Sequence, residues 1–553
     1  MKSVYFLFSA IGAAAIIAGC QPSTSETTDS TVTESTAAES TAAESTVADA
    51  IETGEQYRLV YHFAPPEQWM NDPNGMVFYD GEYHLFYQHY PDSNVWGPMH
   101  WGHAVSEDLV HWEHLPIALY HDSLGYFFSG CAVVDHNNTS GLGTDGNPPL
   151  IAIFTYHDPA EEGEDEDNYL QTQGIAYSND RGRTWTKYEG NPVIENPGIK
   201  DFRDPKVFWY EAGQNRTADR WVMILAVADR VHLYESPNLT EWTYLSEFGE
   251  NSGSHGGVWE CPDLFQLTSD GGEEKWVLLL SINPGGPNGG SATQYFIGDF
   301  DGTTFTNDNP EDMSLWLDYG KDNYAGVTWA DIPEEDERRI FMGWMSNWQY
   351  GQEVPTYTWR SAMTVPRTLH LVETEDGLRV ASRPAVELEM LRQNSVALKA
   401  TTLEGEQNVS NQLNQPSPTL ELQVDFDLSE ATASEVGVKL ANSLGEEVII
   451  GYNLADQQYY VDRVNAGKTD FSADFPGRFT ASRVGDGNTL RMHLFIDVAS
   501  VELFGDDGTT IMSNTFFPNE EFTQVSLFAG GGTVHVTGGQ LYNLSEQSVI
   551  AAK

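Results

Sequence analysis

Hydrophobic and polar positions change over short distances along most of this chain. Apolar and aromatic residues form short runs, for example at 76–79, 83–87, 150–155 and 221–227, and Gly, Asp and Asn turns separate the runs. Runs of this length between turn residues are typical of β-strands. Because no long segment with a 3.6-residue period intervenes, the pattern predicts an all-β protein.

One turn-and-strand phrase recurs in the first two thirds of the chain. Its copies lie at residues 106–112, 178–185, 236–242 and, more weakly, 299–305, and the first three end in Trp. Self-similarity at intervals of about 55 to 75 residues indicates radially arranged sheets, as in a β-propeller with large blades. The alternative interpretation is a β-sandwich built from unrelated hairpins.

The repeat also relates three acidic residues to one another. Each lies a similar distance before an aromatic residue that ends a copy of the phrase. Asp72 lies 40 residues before Trp112, Asp204 lies 38 before Trp242, and Glu260 lies 45 before Phe305. If the first strand of each blade lines the central axis, these three acids converge at one end of the channel. Such convergence is what a hydrolytic site needs.

The last third of the chain has a different pattern. Residues 395–547 alternate apolar and polar positions in short strands, as at 420–426 and 490–496, with turns such as 505–508. This alternation predicts short β-strands with one buried face. No acid-rich catalytic phrase occurs there, so we expect a structural cap on the first domain, with sugar binding as the alternative.

Composition excludes several classes of protein. The 553 residues are 40% apolar and 12% aromatic, which is too polar for a polytopic membrane protein and too apolar for a wholly disordered one. Against 82 Asp and Glu stand 28 Lys and Arg, a formal charge of -54. That charge repels nucleic acid. The acid excess indicates either a salt-tolerant surface or simple solubility.

The N-terminal segment is typical of an export signal. Lys2 precedes an apolar run at 4–18 that is too short to span a bilayer. The run ends in Ile-Ala-Gly before Cys20, which resembles a bacterial lipobox and predicts that Cys20 is lipidated and residues 1–20 are a lipoprotein signal. The alternative is an ordinary secretory signal with a chance cysteine. Gln21 favours the outer membrane.

Residues 21–54 consist mainly of Ser, Thr, Ala and Glu and contain a tandem Thr-Ala-Ala-Glu-Ser. Such a segment cannot bury a core, so we expect a disordered tether between the membrane and a folded protein. The lipid would then be the protein's contact with the membrane. Of the remaining cysteines, Cys131 and Cys261 are far apart in sequence, and we expect both to be buried free thiols.

Three short motifs carry the three acids. They are Trp-Met-Asn-Asp-Pro-Asn-Gly at 69–75, Arg-Asp-Pro at 203–205 and Glu-Cys-Pro-Asp at 260–263. In order and spacing they resemble glycoside hydrolase family 32, the fructan hydrolases and invertases. Further matching blocks lie at 87–89, 94–97, 128–130, 322–325, 343–345 and 359–361. The resemblance covers nearly everything from residue 57 onward.

The resemblance implies a five-bladed β-propeller catalytic domain at residues 55–390, followed by a β-sandwich at 391–553. It also implies a retaining mechanism, in which two carboxyls lie ~5 to 5.5 Å apart. Asp72 is then the nucleophile, and Glu260 is general acid and afterwards general base. Asp204 resembles the family's third acid, which holds hydroxyls of the fructosyl ring, and Arg203 supplies a charged donor beside it.

The resemblance extends to the residues that would contact the sugar. Asn71, Gln88 and Ser129 resemble the family's hydroxyl-binding residues, while Trp96 and Trp359 resemble apolar walls of the fructosyl pocket. The 15 His show no close cluster at metal-ligand spacing, and no acid cluster resembles a calcium loop. Neither a metal nor another cofactor is therefore expected.

One segment departs from the family pattern. Residues 161–167, Glu-Glu-Gly-Glu-Asp-Glu-Asp, form an acidic insertion between two expected strands of the second blade. We expect a mobile surface loop. It either borders the substrate pocket or is a solvated loop without a role in activity.

The sequence thus predicts an exported exo-acting β-fructosidase that releases fructose from levan or inulin and also cleaves sucrose. Within the family, an endo-acting levanase or inulinase and a fructosyltransferase are the alternatives. A non-catalytic fructan-binding lipoprotein is the alternative from a different class. An arabinan-cleaving propeller family shares the architecture but not this set of motifs. Oligomeric state stays open.

Overall fold

The computed structural model describes residues 54–545 except 145, 159–169, 212–218, 334 and 486. The predicted signal peptide with Cys20, the tether up to residue 53 and the acidic insertion at 161–167 lie outside the described residues. Regular structure in the described part is β-strand, with short 3-10 turns at Glu55–Tyr57, Val386–Leu391, Ser410–Gln412 and Asp506–Gly508. Within the same part of the chain, no helix is long and apolar enough to cross a membrane.

Five antiparallel sheets form a β-propeller, which confirms the predicted architecture. Blade 1 contains β1 Gln68–Tyr79, β2 Glu82–Tyr90, β3 His100–Ser106 and β4 Glu113–Leu119, and blade 2 contains β5 Tyr126–Val134, β6 Leu150–Asp158, β7 Leu170–Ser178 and β8 Thr186–Lys187. Blade 3 contains β9 Phe202–Tyr210, β10 Arg220–Val227, β11 Arg230–Ser236 and β12 Thr243–Phe248.

The last two blades have one extra strand each in their connections. Blade 4 contains β13 Val258–Thr268, β14 Glu274–Asn283, β15 Ala292–Phe300 and β16 Phe305–Asn307, and β17 Leu315–Trp316 also pairs with β15. Blade 5 contains β18 Tyr324–Thr328, β19 Arg339–Trp344, β21 Arg367–Thr374 and β22 Gly377–Pro384. The intervening β20, Trp359–Arg360, pairs in parallel with β1. The innermost strands β1, β5, β9, β13 and β18 contact one another around the axis.

The repeated sequence phrase is a repeated turn. In blades 1 to 4 it connects the third strand to the fourth. The three complete copies share one hydrogen bond, from the indole N–H of the final Trp to the carbonyl three residues earlier: Trp112 to Leu109 at 3.1 Å, Trp185 to Gly182 at 3.0 Å and Trp242 to Leu239 at 3.0 Å. The indole closes the turn, and this explains why Trp recurs at that position.

A β-sandwich follows the propeller, as predicted. Its strands are β23 Arg392–Leu398, β24 Thr401–Asn408, β25 Leu420–Asp427, β26 Glu435–Ala441, β27 Glu447–Asn453, β28 Gln458–Asp462, β29 Arg478–Ser482, β30 Thr489–Asp497, β31 Ser500–Gly505, β32 Thr510–Thr515 and β33 Gln524–Leu544. The 21-residue β33 pairs with β23, β24, β25 and β26, so one strand takes part in both layers.

Buried charges join the propeller to the sandwich. His62, in the segment before β1, places Nδ1 2.8 Å from Oδ2 of Asp497 and Nε2 2.9 Å from Oε1 of Glu502. Arg367 of blade 5 donates hydrogen bonds to Glu502 and to Asp318. Burial lowers the pKa of His62, but the hydrogen bonds to the two carboxylates outweigh burial and raise the pKa to about 9.

Candidate active site

All five innermost strands break their pairing register near one end of the axis. The irregularities lie at residues 70–73, 127–130, 203–206, 260–263 and 324–327. A β-bulge turns a side chain away from the regular alternation of the strand. Each of these bulges contains or borders one residue of the site described below: Asp72, Ser129, Asp204, Glu260 and Tyr324.

Three of the bulges hold a non-glycine residue in left-handed backbone conformation. The φ angles are 63° at Asp204, 46° at Cys261 and 53° at Ala325. This conformation is unfavourable for residues with a Cβ atom and persists where surrounding structure imposes it. The propeller therefore accepts local strain at the positions where its strands present polar groups to the axis.

Four of the five bulges, all but the one at 324–327, border a cavity of about 380 Å³, called the axial pocket below. Eight of the residues predicted for the site line it: Asn71, Asp72, Gln88, Trp96, Ser129, Arg203, Asp204 and Glu260. The structure therefore brings together residues from four blades that are separated by up to 189 positions in the sequence.

A layer of polar groups closes the axis beneath the axial pocket. Lys206 Nζ donates a hydrogen bond to the carbonyl of Thr328 at 2.5 Å and lies 3.1 Å from Oδ2 of Asp263. The same Asp263 oxygen accepts hydrogen bonds from the backbone N–H and the hydroxyl of Thr328, at 2.7 and 2.8 Å. None of these three residues lines the axial pocket, and the axial pocket shares no lining residue with the cavity at the other end of the axis, so it is blind on this side.

Asp72 points into the axial pocket with both carboxyl oxygens engaged. Asn71 Nδ2 donates to Oδ1 at 2.9 Å, and the Ser129 hydroxyl donates to Oδ2 at 2.7 Å. Burial raises the pKa of Asp72, with a further contribution from the charge of Glu260, while the two hydrogen bonds act in the opposite direction. The Asn71 amide is itself fixed, because the indole N–H of Trp69 donates to its oxygen at 2.7 Å.

Glu260 receives one donor on each carboxyl oxygen. Arg203 Nη2 donates to Oε1 at 3.0 Å, and the Tyr324 hydroxyl donates to Oε2. Burial raises the pKa of Tyr324 well above its usual value, and the charge of Glu260 raises it further. Tyr324 therefore stays protonated and remains a donor. The opposite face of Arg203 is held by Asp201, whose Oδ1 accepts from Nη1 at 2.6 Å.

Asp204 is the most buried of the three acids, with 5% of its surface exposed. Its Oδ2 accepts a hydrogen bond from the backbone N–H of Cys261 at 3.1 Å. The Cys261 thiol lies 3.7 Å from the same oxygen and 3.6 Å from Oδ2 of Asp72, and so bridges the two acids. Burial raises the pKa of Asp204 to about 7 against the lowering effect of Arg203, and the charges of Glu260 and Asp72 add to the rise.

The remaining predicted contact residues differ in their placement. Gln88 is buried and donates to Asn74 at 2.6 Å. Trp96 is 38% exposed at the rim, where its ring meets the edge of Phe128. Trp359 is not brought to the axial pocket. It is 3% exposed, it lines a separate small cavity beside the sandwich, and the Arg58 guanidinium lies 4.5 Å above its ring.

Several residues that line the axial pocket or contact its acids were given no role by the sequence analysis. Tyr324 belongs to a matching block at 322–325, and that was its only signal. Gln171 positions the strand that carries Arg203, because its Oε1 accepts from the Phe202 backbone N–H at 2.9 Å. His157 stacks on Phe128 with ring centres 4.2 Å apart. Asn283, Trp348 and Gln352 also line the axial pocket.

Among the described residues, no group of three or more His, Cys, Asp or Glu side chains is arranged to hold a metal ion. The polar side chains that line the axial pocket are carboxyls, one guanidinium, one imidazole and neutral amide and hydroxyl groups, with the Tyr324 phenol in contact with Glu260. A pocket that carries three carboxyls beside fixed hydrogen-bond donors has the groups that cleavage of a glycosidic bond requires, which is typical of a carbohydrate-cleaving class of protein.

Comparison with known families agrees with this class. The N-terminal domain of glycosyl hydrolases family 32 matches residues 62–384, and the C-terminal domain of the same family matches residues 387–543. The chain belongs to glycosyl hydrolases family 32. The resemblance seen in the sequence motifs is thereby confirmed.

Characterised relatives and solved structures are similar over most of the chain. A levanase of Bacillus subtilis is 50% identical over 486 residues, which are 87% of this chain and 69% of that protein. An extracellular exo-inulinase of Aspergillus niger is 38% identical over 90% of this chain and 96% of its own. The crystal structure of exo-inulinase from Aspergillus awamori has a TM-score of 0.80 and 37% identity, covering 89% of this chain and 99% of that one.

Proposed function

We propose that this protein is a retaining fructan β-fructosidase that releases fructose from the chain ends of levan or inulin and also cleaves sucrose. The blind axial pocket carries this proposal, because a closed pocket of about 380 Å³ receives a terminal sugar and not the middle of a polymer. The names of the similar levanase and exo-inulinase state that those proteins act on this class of substrate.

Asp72 is the proposed nucleophile. Ser129 and Asn71 hydrogen-bond its carboxyl and favour the charged form, which must attack the anomeric carbon of the fructosyl unit. The bond from that carbon to the leaving oxygen breaks as the fructosyl-enzyme bond forms. In the second step water attacks the same carbon and releases the Asp72 carboxylate.

Glu260 is the proposed general acid and base. It gives its proton to the leaving oxygen in the first step and takes a proton from water in the second. Arg203 and Tyr324 hold its two oxygens in one orientation, which supports this role. Asp204 is proposed to bind ring hydroxyls of the fructosyl unit. Its pKa of about 7 lets the carboxyl act as donor or acceptor near neutral pH.

We further propose that Cys20 is lipidated after export and that residues 21–54 tether the enzyme to the membrane. The extracellular exo-inulinase relative supports export. Metabolic labelling with a radioactive fatty acid tests the anchor, since the label should be incorporated by the full chain and lost in Cys20→Ala. Equal labelling of the two proteins would contradict it.

A product time course tests the proposed activity. Residues 50–553, which form one compact unit, would be incubated separately with levan and with inulin. Fructose alone from the earliest time supports chain-end attack, and the faster polymer identifies the preferred substrate. A ladder of oligosaccharides would instead indicate an endo-acting enzyme.

Two variants separate the roles of the carboxyls. Glu260→Ala should lose about 10² to 10⁴-fold in kcat, and sodium azide should restore part of the turnover because azide attacks the fructosyl-enzyme without a general base. The azide product should keep the configuration of the substrate. Asp72→Asn should lose activity without this form of rescue. Unchanged turnover in Glu260→Ala would contradict the role of Glu260 as general acid and base, whereas a wild-type protein that binds fructan without any turnover would be a fructan-binding protein.

A further inference from the structure

A second and larger cavity lies at the opposite end of the propeller axis. Its volume is about 920 Å³, and it is called the distal cavity below. Its walls come from later residues of the inner strands that line the axial pocket, including Tyr79 of β1, Val134 of β5 and Phe265 of β13. The closed layer of Lys206, Asp263 and Thr328 separates it from the axial pocket, so no chain passes between them.

Aromatic rings form much of the wall of the distal cavity. They include Tyr79, Phe208, Trp209, Trp221, Phe265 and Trp276. Trp209 and Trp221 meet edge to face with ring centres 5.0 Å apart, and Phe208 packs on Trp276 at 5.5 Å. Tyr79, Phe208, Trp209 and Trp276 are only partly buried, so apolar ring surface is available to a ligand.

Arg339 is unusual among the arginines that the structure describes. Each of the others has a hydrogen bond or an ion pair, whereas Arg339 has neither and lies only over the Phe265 ring, 5.0 Å from its centre. Burial lowers the pKa of Arg339, although the charge of Asp263 opposes the effect. A guanidinium that borders a cavity without a partner keeps its N–H donors free for a ligand.

The charges of the distal cavity indicate what it can hold. Arg339 and Lys206 border it together with four acids, Asp80, Glu211, Asp263 and Asp331. An anion would meet the carboxylates, and a cation would meet the guanidinium. A neutral polyol has hydroxyls that both accept from Arg339 and donate to carboxylates, and a sugar also presents C–H surface to aromatic rings.

We propose that the distal cavity is a second carbohydrate site that binds a segment of the fructan substrate without cleaving it. The identity of the polymer rests on the proposed function. Binding at this site would hold the enzyme on the polymer and raise the local concentration of chain ends at the axial pocket. Sucrose is cleaved at the axial pocket without help from the distal cavity, so binding at the distal cavity would not raise the rate of sucrose cleavage.

Arg339→Met tests the proposal, because methionine keeps apolar packing on Phe265 and removes the donors. KM for levan should rise about tenfold, the equivalent of one hydrogen bond to a charged group, while kcat/KM for sucrose stays unchanged. Arg339→Lys should give an intermediate KM and serves as the readout should Arg339→Met fail to fold. Arg491→Ala, an exposed arginine of the sandwich, is the matched control and should leave both substrates unaffected.

Native electrophoresis through gels containing levan provides a readout independent of turnover. With Glu260→Gln as the non-cleaving background, adding Arg339→Met should reduce the retardation, and gels with dextran should show no such difference. Equal mobility with and without Arg339→Met would overturn the proposal, as would an equal fractional loss of levan and sucrose turnover. If levan is not cleaved but retardation still depends on Arg339, the proposed function fails and the distal site stands.

Discussion

Arg203 and Glu260 form an ion pair between the third and fourth blades, with Nη2 3.0 Å from Oε1. The same guanidinium lies 2.6 Å from Oδ1 of Asp201 and 3.8 Å from Oδ2 of Asp204. One side chain therefore offsets the charge of three carboxyl groups that the fold has removed from water. Without such a cation, closely placed carboxyls stay protonated at higher pH.

Replacing Arg203 should change both rate and pH dependence. In Arg203→Met the pKa of Asp204 should rise further, because Arg203 now lowers it. Loss of a charged hydrogen bond to Glu260 should reduce kcat/KM for sucrose by about 10² or more. The measurement is the pH-rate profile, with Arg203→Lys as the conservative control. A profile that matches the wild type would show that Arg203 does not set the protonation of these carboxyls.

Ser129→Ala should make Asp72 a less effective nucleophile and should leave the other residues of the axial pocket in place. The Ser129 hydroxyl donates to Asp72 over 2.7 Å and lowers the pKa of that carboxyl. Its loss should therefore move the acidic limb of the pH-rate profile to higher pH and reduce kcat by about tenfold to a hundredfold. Ser129→Thr, which keeps the hydroxyl, is the comparison. An unshifted acidic limb in Ser129→Ala would argue against Asp72 as the group that must be ionised.

His62 should make the stability of the protein sensitive to alkaline pH. Its pKa is raised from 6.5 to about 9 in the folded protein, so its contribution is complete below pH 6.5 and is lost as the pH rises through 9. A shift of this size corresponds to about 3 kcal/mol. Urea unfolding at pH 7 and pH 10 should show this loss in the wild type.

His62→Gln should be less stable than the wild type at pH 7 and should lose much less stability between pH 7 and pH 10. His535→Gln, at an exposed position of the sandwich, should keep the pH dependence of the wild type. If His62→Gln and the wild type lost equal stability on alkalisation, another group would have to account for the effect.

The two described cysteines should be inert in the folded protein. Both are buried free thiols, as expected from the sequence. Burial raises the pKa of Cys131 to about 12, and burial with the charges of Asp204 and Asp72 raises the pKa of Cys261 well above its usual value. A disulfide reagent at pH 8 should label neither thiol in residues 50–553, and both after unfolding. Rapid labelling of the native protein would contradict this burial.

Much of the fold could be predicted from the sequence, because the same short sequence pattern recurs wherever the same structural unit recurs. The turn that ends in Trp112, Trp185 or Trp242 recurs since each blade needs the same connection between its outer strands. Strand alternation in β30, with Leu490, Met492, Leu494 and Ile496 buried, likewise follows from one face packing inward. The shared strand β33 had no such signal, because a strand's partners depend on distant residues.

Only part of the site could be predicted from the sequence. The three acids were found because their motifs are distinctive and the repeat relates them. Trp359 was assigned to the pocket by resemblance alone, yet its side chain is 3% exposed and lines a separate small cavity beside the sandwich. The sequence analysis gave Tyr324 no role, because a Tyr followed by Ala does not indicate a β-bulge. The partner that it meets, Glu260, is 64 residues away.

The placement of β33 has a consequence for biosynthesis. This strand, Gln524–Leu544, is made after all four of the strands that form hydrogen bonds with it. The earlier strands keep unpaired edges until residues 524–544 have been synthesised, and unpaired edges can pair with other chains. A premature stop codon near residue 520 would therefore produce an aggregating polypeptide, and not a propeller that merely lacks an accessory module.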